Sequence, residues 1–173
     1  MNHTLEKRLQ AAFGGILVES PETERIVITA GKETVLSLLS FLKNAGYDHL
    51  GIISCVDWIA EDAFELVYIL HPYWDEGGGR TDADKDCVFL KTRIPRDGAG
   101  CISVIPIFEN AEPYERELHE LFGIHFDGHP RLTPLFLERE YETPPFRKDF
   151  DTRLYVEETF ESIPSIDTET DGR

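Results

Sequence analysis

The sequence predicts an α/β (α+β) fold. It reads as a two-layer sandwich in which a five-stranded sheet carries helices on one face, followed by an irregular extended C-terminal arm. Three observations predict it. Within residues 1–109, segments of helical period and β-branched or alternating runs follow one another as helix, two strands, helix, three strands. After Pro106 that regularity gives way, one helix apart, to a stretch rich in proline and aromatics. A chain of 173 residues supports one ordinary core and not two. The expected organisation is an α/β domain over 1–109, a helix with an extended docking arm over 110–156, and an acidic tail over 157–173 that is disordered unless bound.

Leu5, Leu9, Ala12 and Phe13 recur at helical spacing and Gly14-Gly15 closes the pattern, which defines a first amphipathic helix. Gly15 to Glu19 and Arg25 to Thr29 are short β-branched runs, and Ser20-Pro21 reads as the turn of a hairpin between them. From Lys32 to Lys43, Val35, Leu36, Leu38, Leu39 and Leu42 form an apolar stripe wide enough to lie flat on a sheet, ended by Asn44-Ala45-Gly46. Tyr47 to Asp57 and Phe64 to His71 are the next strands, paired around Trp58 to Ala63. In the second, Phe64, Leu66, Tyr68 and Leu70 alternate with Glu65, Val67 and Ile69. Tyr73 to Lys85, with Gly77-Gly78-Gly79 in an acidic setting, reads as an exposed loop with a mobile tip before a fifth strand from Asp86 to Ile94.

Lys and Arg number 17 against 33 Asp and Glu, a net charge of −16 that repels nucleic acid and anionic lipid head groups and favours basic protein partners. No apolar run approaches the roughly 20 residues of a membrane span, and MNHTLEKRLQ lacks the apolar core of a signal peptide. The expectation is a chain that stays inside the cell and meets a membrane only through its partners. Cys55, Cys87 and Cys101 are far apart with no C-x-x-C, which predicts buried thiols rather than disulfides, zinc or an iron–sulfur cluster.

The most informative stretch is Tyr114 to Pro130, YERELHELFGIHFDGHP. Around Leu118, Tyr114, Leu121 and Phe122 fall at i−4, i+3 and i+4, so one face of a helix of about three turns packs while Arg116 and Glu120 stand opposite, free to bind. Asn110 is the expected cap, Pro113 sits in the first turn, and Gly123 ends the helix. Asp127-Gly128 marks a turn, and Pro130 extends His129. Beyond it, Pro134, Pro144 and Pro145 with Phe136, Tyr141, Phe146, Phe150 and Tyr155 suit an arm that docks along a neighbour and is ordered mainly by it.

The run Glu115-Arg116-Glu117, then Glu120-Leu121-Phe122-Gly123-Ile124, then Gly128-His129-Pro130, and later Phe146-Arg147-Lys148-Asp149 resembles the signature of the C-type subunit of NADH-quinone oxidoreductase, the complex I 30 kDa subunit family. The type also occurs in F420H2 dehydrogenases and energy-converting membrane-bound hydrogenases. The resemblance is strongest over 110–150, with departures at Arg131-Leu132-Thr133-Pro134 and Thr143-Pro144-Pro145-Phe146. It implies a mixed five-stranded sheet and a non-catalytic scaffold subunit in the peripheral arm of a respiratory complex, on the cytoplasmic side, where electron transfer is coupled to ion translocation. It implies no cofactor on this chain, with iron–sulfur clusters and NiFe or flavin groups in partner subunits. The partners it implies are a large hydrogenase-like subunit of the D type and a small iron–sulfur subunit of the B type. The interface residues it implies are Glu115, Arg116, Glu117, Glu120, Phe122, Gly123, His129, Pro130, Arg147, Lys148 and Asp149, with Arg147 offered to a partner carboxylate.

The residues also admit an alternative, a free-standing metal-dependent hydrolase using His119, Glu120, His125 and His129. The spacing speaks against it, since the histidine after His119-Glu120 comes at i+6 and two imidazoles on one helical face need i+4. The plain structural expectation is that Glu115 and His119 form an i,i+4 polar pair and His129 holds backbone groups in a turn. Gly77-Gly78-Gly79-Arg80-Thr81 lacks the ending of a phosphate loop and lies among carboxylates, and neither G-x-G-x-x-G nor G-x-S-x-G is present.

Overall fold

Successive side chains of a strand point to opposite faces, and in the strand Ala63–His71 the side chains of Phe64, Leu66, Tyr68 and Leu70 are all completely buried. They define the core face on which the helices lie. The computed structural model describes residues 2–22, 25–72, 87–137 and 141–159. Within them the chain forms α1 (Asn2–Ala12), β1 (Leu17–Glu22), β2 (Arg25–Thr29), α2 (Val35–Asn44, after a 3-10 turn), β3 (His49–Trp58), β4 (Ala63–His71) and β5 (Cys87–Pro95). These are followed by β6 (Gly100–Ile102), α3 (Ala111–Phe122), β7 (His125–Asp127) and α4 (Thr152–Thr159). The expected loop Tyr73–Lys85 and residues 160–173 of the expected tail lie outside the described residues.

The five-stranded sheet has the order β1-β2-β5-β4-β3. It is mixed: β2 and β5 are parallel, with Ile26 opposite Val88 and Ile28 opposite Leu90, while the other neighbours are antiparallel. Leu5 and Leu9 of α1, Val35, Leu38, Leu39 and Leu42 of α2, and Leu118, Leu121 and Phe122 of α3 join the buried face of the sheet in one core. On the opposite face Ile52, Val56 and Trp58 are exposed while Glu65 and Val67 are buried. There Lys91 and Arg93 pair with Glu65, and the Arg93 guanidinium lies over the Trp58 ring.

Some expectations are corrected. Ser20-Pro21 is not the hairpin turn: β1 runs through it to Glu22 with a register shift between Glu19 and Glu22, which an edge strand tolerates because a proline there removes no inner ladder bond. Of the cysteines only Cys101 is buried. Cys55 and Cys87 are half-buried, and the Cys87 thiol lies 2.9 Å from His71 Nδ1. Gly100–Ile102 pairs in parallel with His125–Asp127, Cys101 opposite Phe126, and these two three-residue strands are too short to show a period. Residue 109 does not bound the core, since Ala111, Leu118, Ile124 and Phe126 belong to it. Glu157, placed in the tail, lies in α4.

Candidate functional site

Asn110 and Tyr114 fix α3 to the sheet edge. Asn110 does not cap the helix with its side chain; its amide donates to the Leu50 carbonyl at 2.7 Å, and the Tyr114 hydroxyl donates to the Gly51 carbonyl at 2.8 Å. Both acceptors lie at the register shift in β3 between Leu50 and Ile52. Gly123 ends the helix with φ 77° and its N–H on the His119 carbonyl at 2.8 Å, the expected left-handed stop.

Glu115, three residues before Leu118, shares the packed face and is fully buried. One carboxylate oxygen accepts from the Val104 N–H at 2.6 Å. Burial pushes its pKa up, only partly offset by that N–H and the Ser103 hydroxyl. The expected pair with His119 does not form. Glu115 turns inward to the 103–104 segment, whereas His119 Nδ1 lies 2.9 Å from the Ile124 carbonyl.

The opposite face, expected to be free, is covered by the chain's own arm. Arg116 donates to the carbonyls of Thr133 at 2.9 Å and Pro134 at 2.8 Å and pairs with Glu112 at 3.3 Å, one turn back, rather than with Glu120. Glu120 accepts from the successive N–H groups of Leu135, Phe136 and Leu137. An extended segment outside any sheet has backbone groups without ladder partners, and here a cation takes two carbonyls and an anion the next three amides. Burial raises the Glu120 pKa, but the three N–H donors and Arg116 outweigh it and hold the carboxyl below its ordinary value. His129 holds turn backbone as expected: Nδ1 accepts from the Arg131 N–H at 3.0 Å and Nε2 lies 3.3 Å from the Glu112 carbonyl. Glu117 is half-buried and Pro130 exposed.

The arm then returns to the end of α3. The Phe146 N–H donates to the Leu121 carbonyl at 3.0 Å, and its ring meets that of Phe122 edge to face at 6.0 Å. A Cβ on Gly123 would stand 3.0 Å from Pro144 Cγ, so the glycine gives the arm its path. Within the chain the Arg147 guanidinium lies over Phe64, and Nε is 3.4 Å from Asp149. The Lys148 N–H donates to Asp57 at 2.8 Å, and Asp149 pairs with Arg96 at 2.6 Å. Arg96 also lies 2.9 Å from Asp57, and their side chains are 8% and 3% exposed. Sequence reasoning passed over both. The available signal was Asp57 itself, an acid on the strand face of Ile53, since a buried carboxylate needs a counter-charge.

The hydrolase residues do not converge. Glu120 is taken by the arm, His119 and His129 by backbone, and His125 lies beside Asp127 at 3.2 Å. Among the described residues no three His, Cys, Asp or Glu side chains form a metal-binding group, and no helix is long and apolar enough to cross a membrane. The arrangement holds backbone in place.

Residues 28–156 match the family described as the respiratory-chain NADH dehydrogenase, 30 Kd subunit. The C-type subunit of the F(420)H(2) dehydrogenase of Methanosarcina mazei is 36% identical over 137 residues, 78% of this chain and 79% of the relative. The NADH-quinone oxidoreductase polypeptide of Bdellovibrio bacteriovorus that is named C/D is 32% identical over 127 residues, 72% of this chain but only 21% of that longer protein. A chain in the solved structure of the membrane-bound sulfane sulfur reductase, an archaeal respiratory membrane complex, superposes with a TM-score of 0.82 at 26% identity, covering 99% of this chain and 98% of that one. The structural match takes in the sheet, α3 and the arm together, and the chain belongs to the 30 kDa subunit family of the respiratory-chain NADH dehydrogenase.

Proposed function

We propose that this chain is a scaffold subunit of a membrane-associated, complex I-like oxidoreductase that couples electron transfer to ion translocation. It sits in the peripheral arm on the cytoplasmic side of the membrane, against the large hydrogenase-like subunit and the small iron–sulfur subunit. The redox groups belong to those partners and this chain carries none. The observation that carries the reading is the use made of the charged side chains of α3 and the arm: Arg116, Glu120 and Asp149 all hold the chain's own arm in place. Residues so committed support a surface rather than a reaction. The relative whose name joins C and D in one polypeptide supports the large subunit as neighbour.

Affinity purification of the tagged chain from its own membranes tests this. The expected result is stoichiometric recovery of a large hydrogenase-like and a small iron–sulfur subunit. Recovery of the chain alone under conditions that keep other membrane complexes intact would overturn it.

A further inference from the structure

One rung of the five-stranded sheet carries ionisable side chains on four neighbouring strands. Cys87 of β5 stands opposite Arg25 of β2. On its other side, the antiparallel register that pairs Leu70 with Val88 brings His71 of β4 beside it, and His71 is opposite His49 of β3. Directly opposed residues share a face, here the one away from the helices, since Leu70 and Val88 on the next rung belong to the core. The Cys87 thiol lies 2.9 Å from His71 Nδ1, the His71 and His49 ring centroids are 6.4 Å apart, and the Arg25 guanidinium lies over Phe89, two residues along β5. A zinc ion bound to both atoms would hold sulfur and nitrogen about 3.5 Å apart, so the shorter contact is that of a proton shared between thiol and imidazole. Gly51 leaves room for it: a Cβ there would stand 3.1 Å from Cδ2 and Nε2 of His71.

We propose that Cys87 and His71 form a reactive thiol pair that takes a low-molecular-weight disulfide as its substrate and keeps one half of it as a reversible mixed disulfide. The Cys87 thiol gives its proton to His71 Nδ1, and the thiolate attacks one sulfur of the disulfide. A Cys87 S–S bond forms as the old S–S bond breaks, and the leaving thiolate takes the proton from His71, so one disulfide is consumed and one is made. Burial and the neighbouring His49 hold the His71 pKa below its ordinary value, so near pH 7 the ring is neutral and offers a lone pair. An imidazole on one side and a guanidinium on the other give the half-buried Cys87 the electropositive, partly accessible setting in which thiols ionise. The other two thiols lack it. Cys55 packs against the core, where burial and Asp57 push it up to about 12. Cys101 is buried 3.8 Å from the Tyr68 hydroxyl and is also raised by burial. Neither stands on the Cys87 face, so the second sulfur comes from outside the chain, and a half-buried thiol is reached more readily by a small disulfide than by a cysteine of another protein.

The test treats the purified full chain with oxidised glutathione and maps the product by peptide mass spectrometry. Glutathione is expected on Cys87, with Cys55 and Cys101 unmodified, and dithiothreitol is expected to remove it. The rate of Cys87 alkylation by iodoacetamide against pH is expected to have its midpoint below the ~8.5 of a free thiol and to move up towards that value in His71→Asn. At pH 7 the variant is expected to react with oxidised glutathione about 3-fold more slowly or less, because its thiolate is scarcer though individually more nucleophilic. An unchanged unfolding midpoint checks that His71→Asn is folded, and the profile of the unmodified chain needs no variant. Glutathione on Cys55 or Cys101 before Cys87, a midpoint at or above ~8.5 in the unmodified chain, or the same profile in both chains would each overturn the proposal.

Discussion

Arg96 and Asp57 are buried together, and Arg96 reaches from there to Asp149 on the arm. Two charges taken out of water contribute little beyond an apolar pair of the same shape, but removing one leaves the other uncompensated, at roughly 3–5 kcal/mol. Arg96→Ala is therefore expected to lower unfolding stability by about that much, measured by denaturant titration. A loss below about 1 kcal/mol would mean that water reaches Asp57. Glu115 behaves differently because its pKa is raised, chiefly by burial. Its contribution to stability is complete below the ordinary glutamate pKa of about 4.3 and is lost as pH rises through the higher folded-state value. Glu115→Gln removes that titration, so the variant is expected to gain on the parent as pH rises from the ordinary glutamate pKa through the higher folded-state value. Parallel denaturation midpoints across that range would refute it.

At the scale of elements, α3 and the arm act as one unit. Glu120 titrates in the opposite sense to Glu115: its pKa is lowered by the N–H groups of Leu137, Phe136 and Leu135 and by Arg116, against the effect of its own burial. Its hold on the arm is complete above the ordinary pKa of about 4.3 and weakens as pH falls through the lower folded-state value. Amide exchange at 135–137, corrected for its intrinsic pH dependence, is expected to lose protection on acidification before that of the β4 and β5 amides. Simultaneous loss would show that the arm is no separate unit. Gly123→Ala strains a backbone at φ 77° and drives a methyl against Pro144. It is expected to destabilise the chain by about 1–3 kcal/mol and to raise exchange at 146–148 most.

For the whole molecule, Arg116→Ala with Arg147→Ala separates a support from a catalyst. Arg116 holds two arm carbonyls, and Arg147 lies over Phe64 beside Asp149. Neither belongs to the apolar core, so the variant is expected to fold while the yield of assembled complex falls. Activity per assembled complex is expected to stay unchanged if, as proposed, the redox groups belong to other subunits. Full assembly with turnover abolished would point to a direct part in the chemistry.

Period and punctuation in the chain were enough for the five strands of the sheet, α1 to α3, the Gly123 stop and, through the spacing of YERELHELFGIHFDGHP, the family. Each of these depends on neighbours within a few residues: the apolar run of β4, the Leu118 stripe in α3, a left-handed glycine at its end. The fate of the charged residues was not legible. Arg116 and Glu120 stand on a polar helical face in the sequence, and only the folded chain shows the arm returning 15–18 residues later to cover it. Asp57 meets the backbone of Lys148, 91 residues away. β6 and β7 escaped for a related reason, because three residues carry no period and the pairing of Cys101 with Phe126 exists only once α3 has brought them together. Hydrophobic pattern is a local property of the chain, whereas the partner of a charge is set by how the whole chain packs.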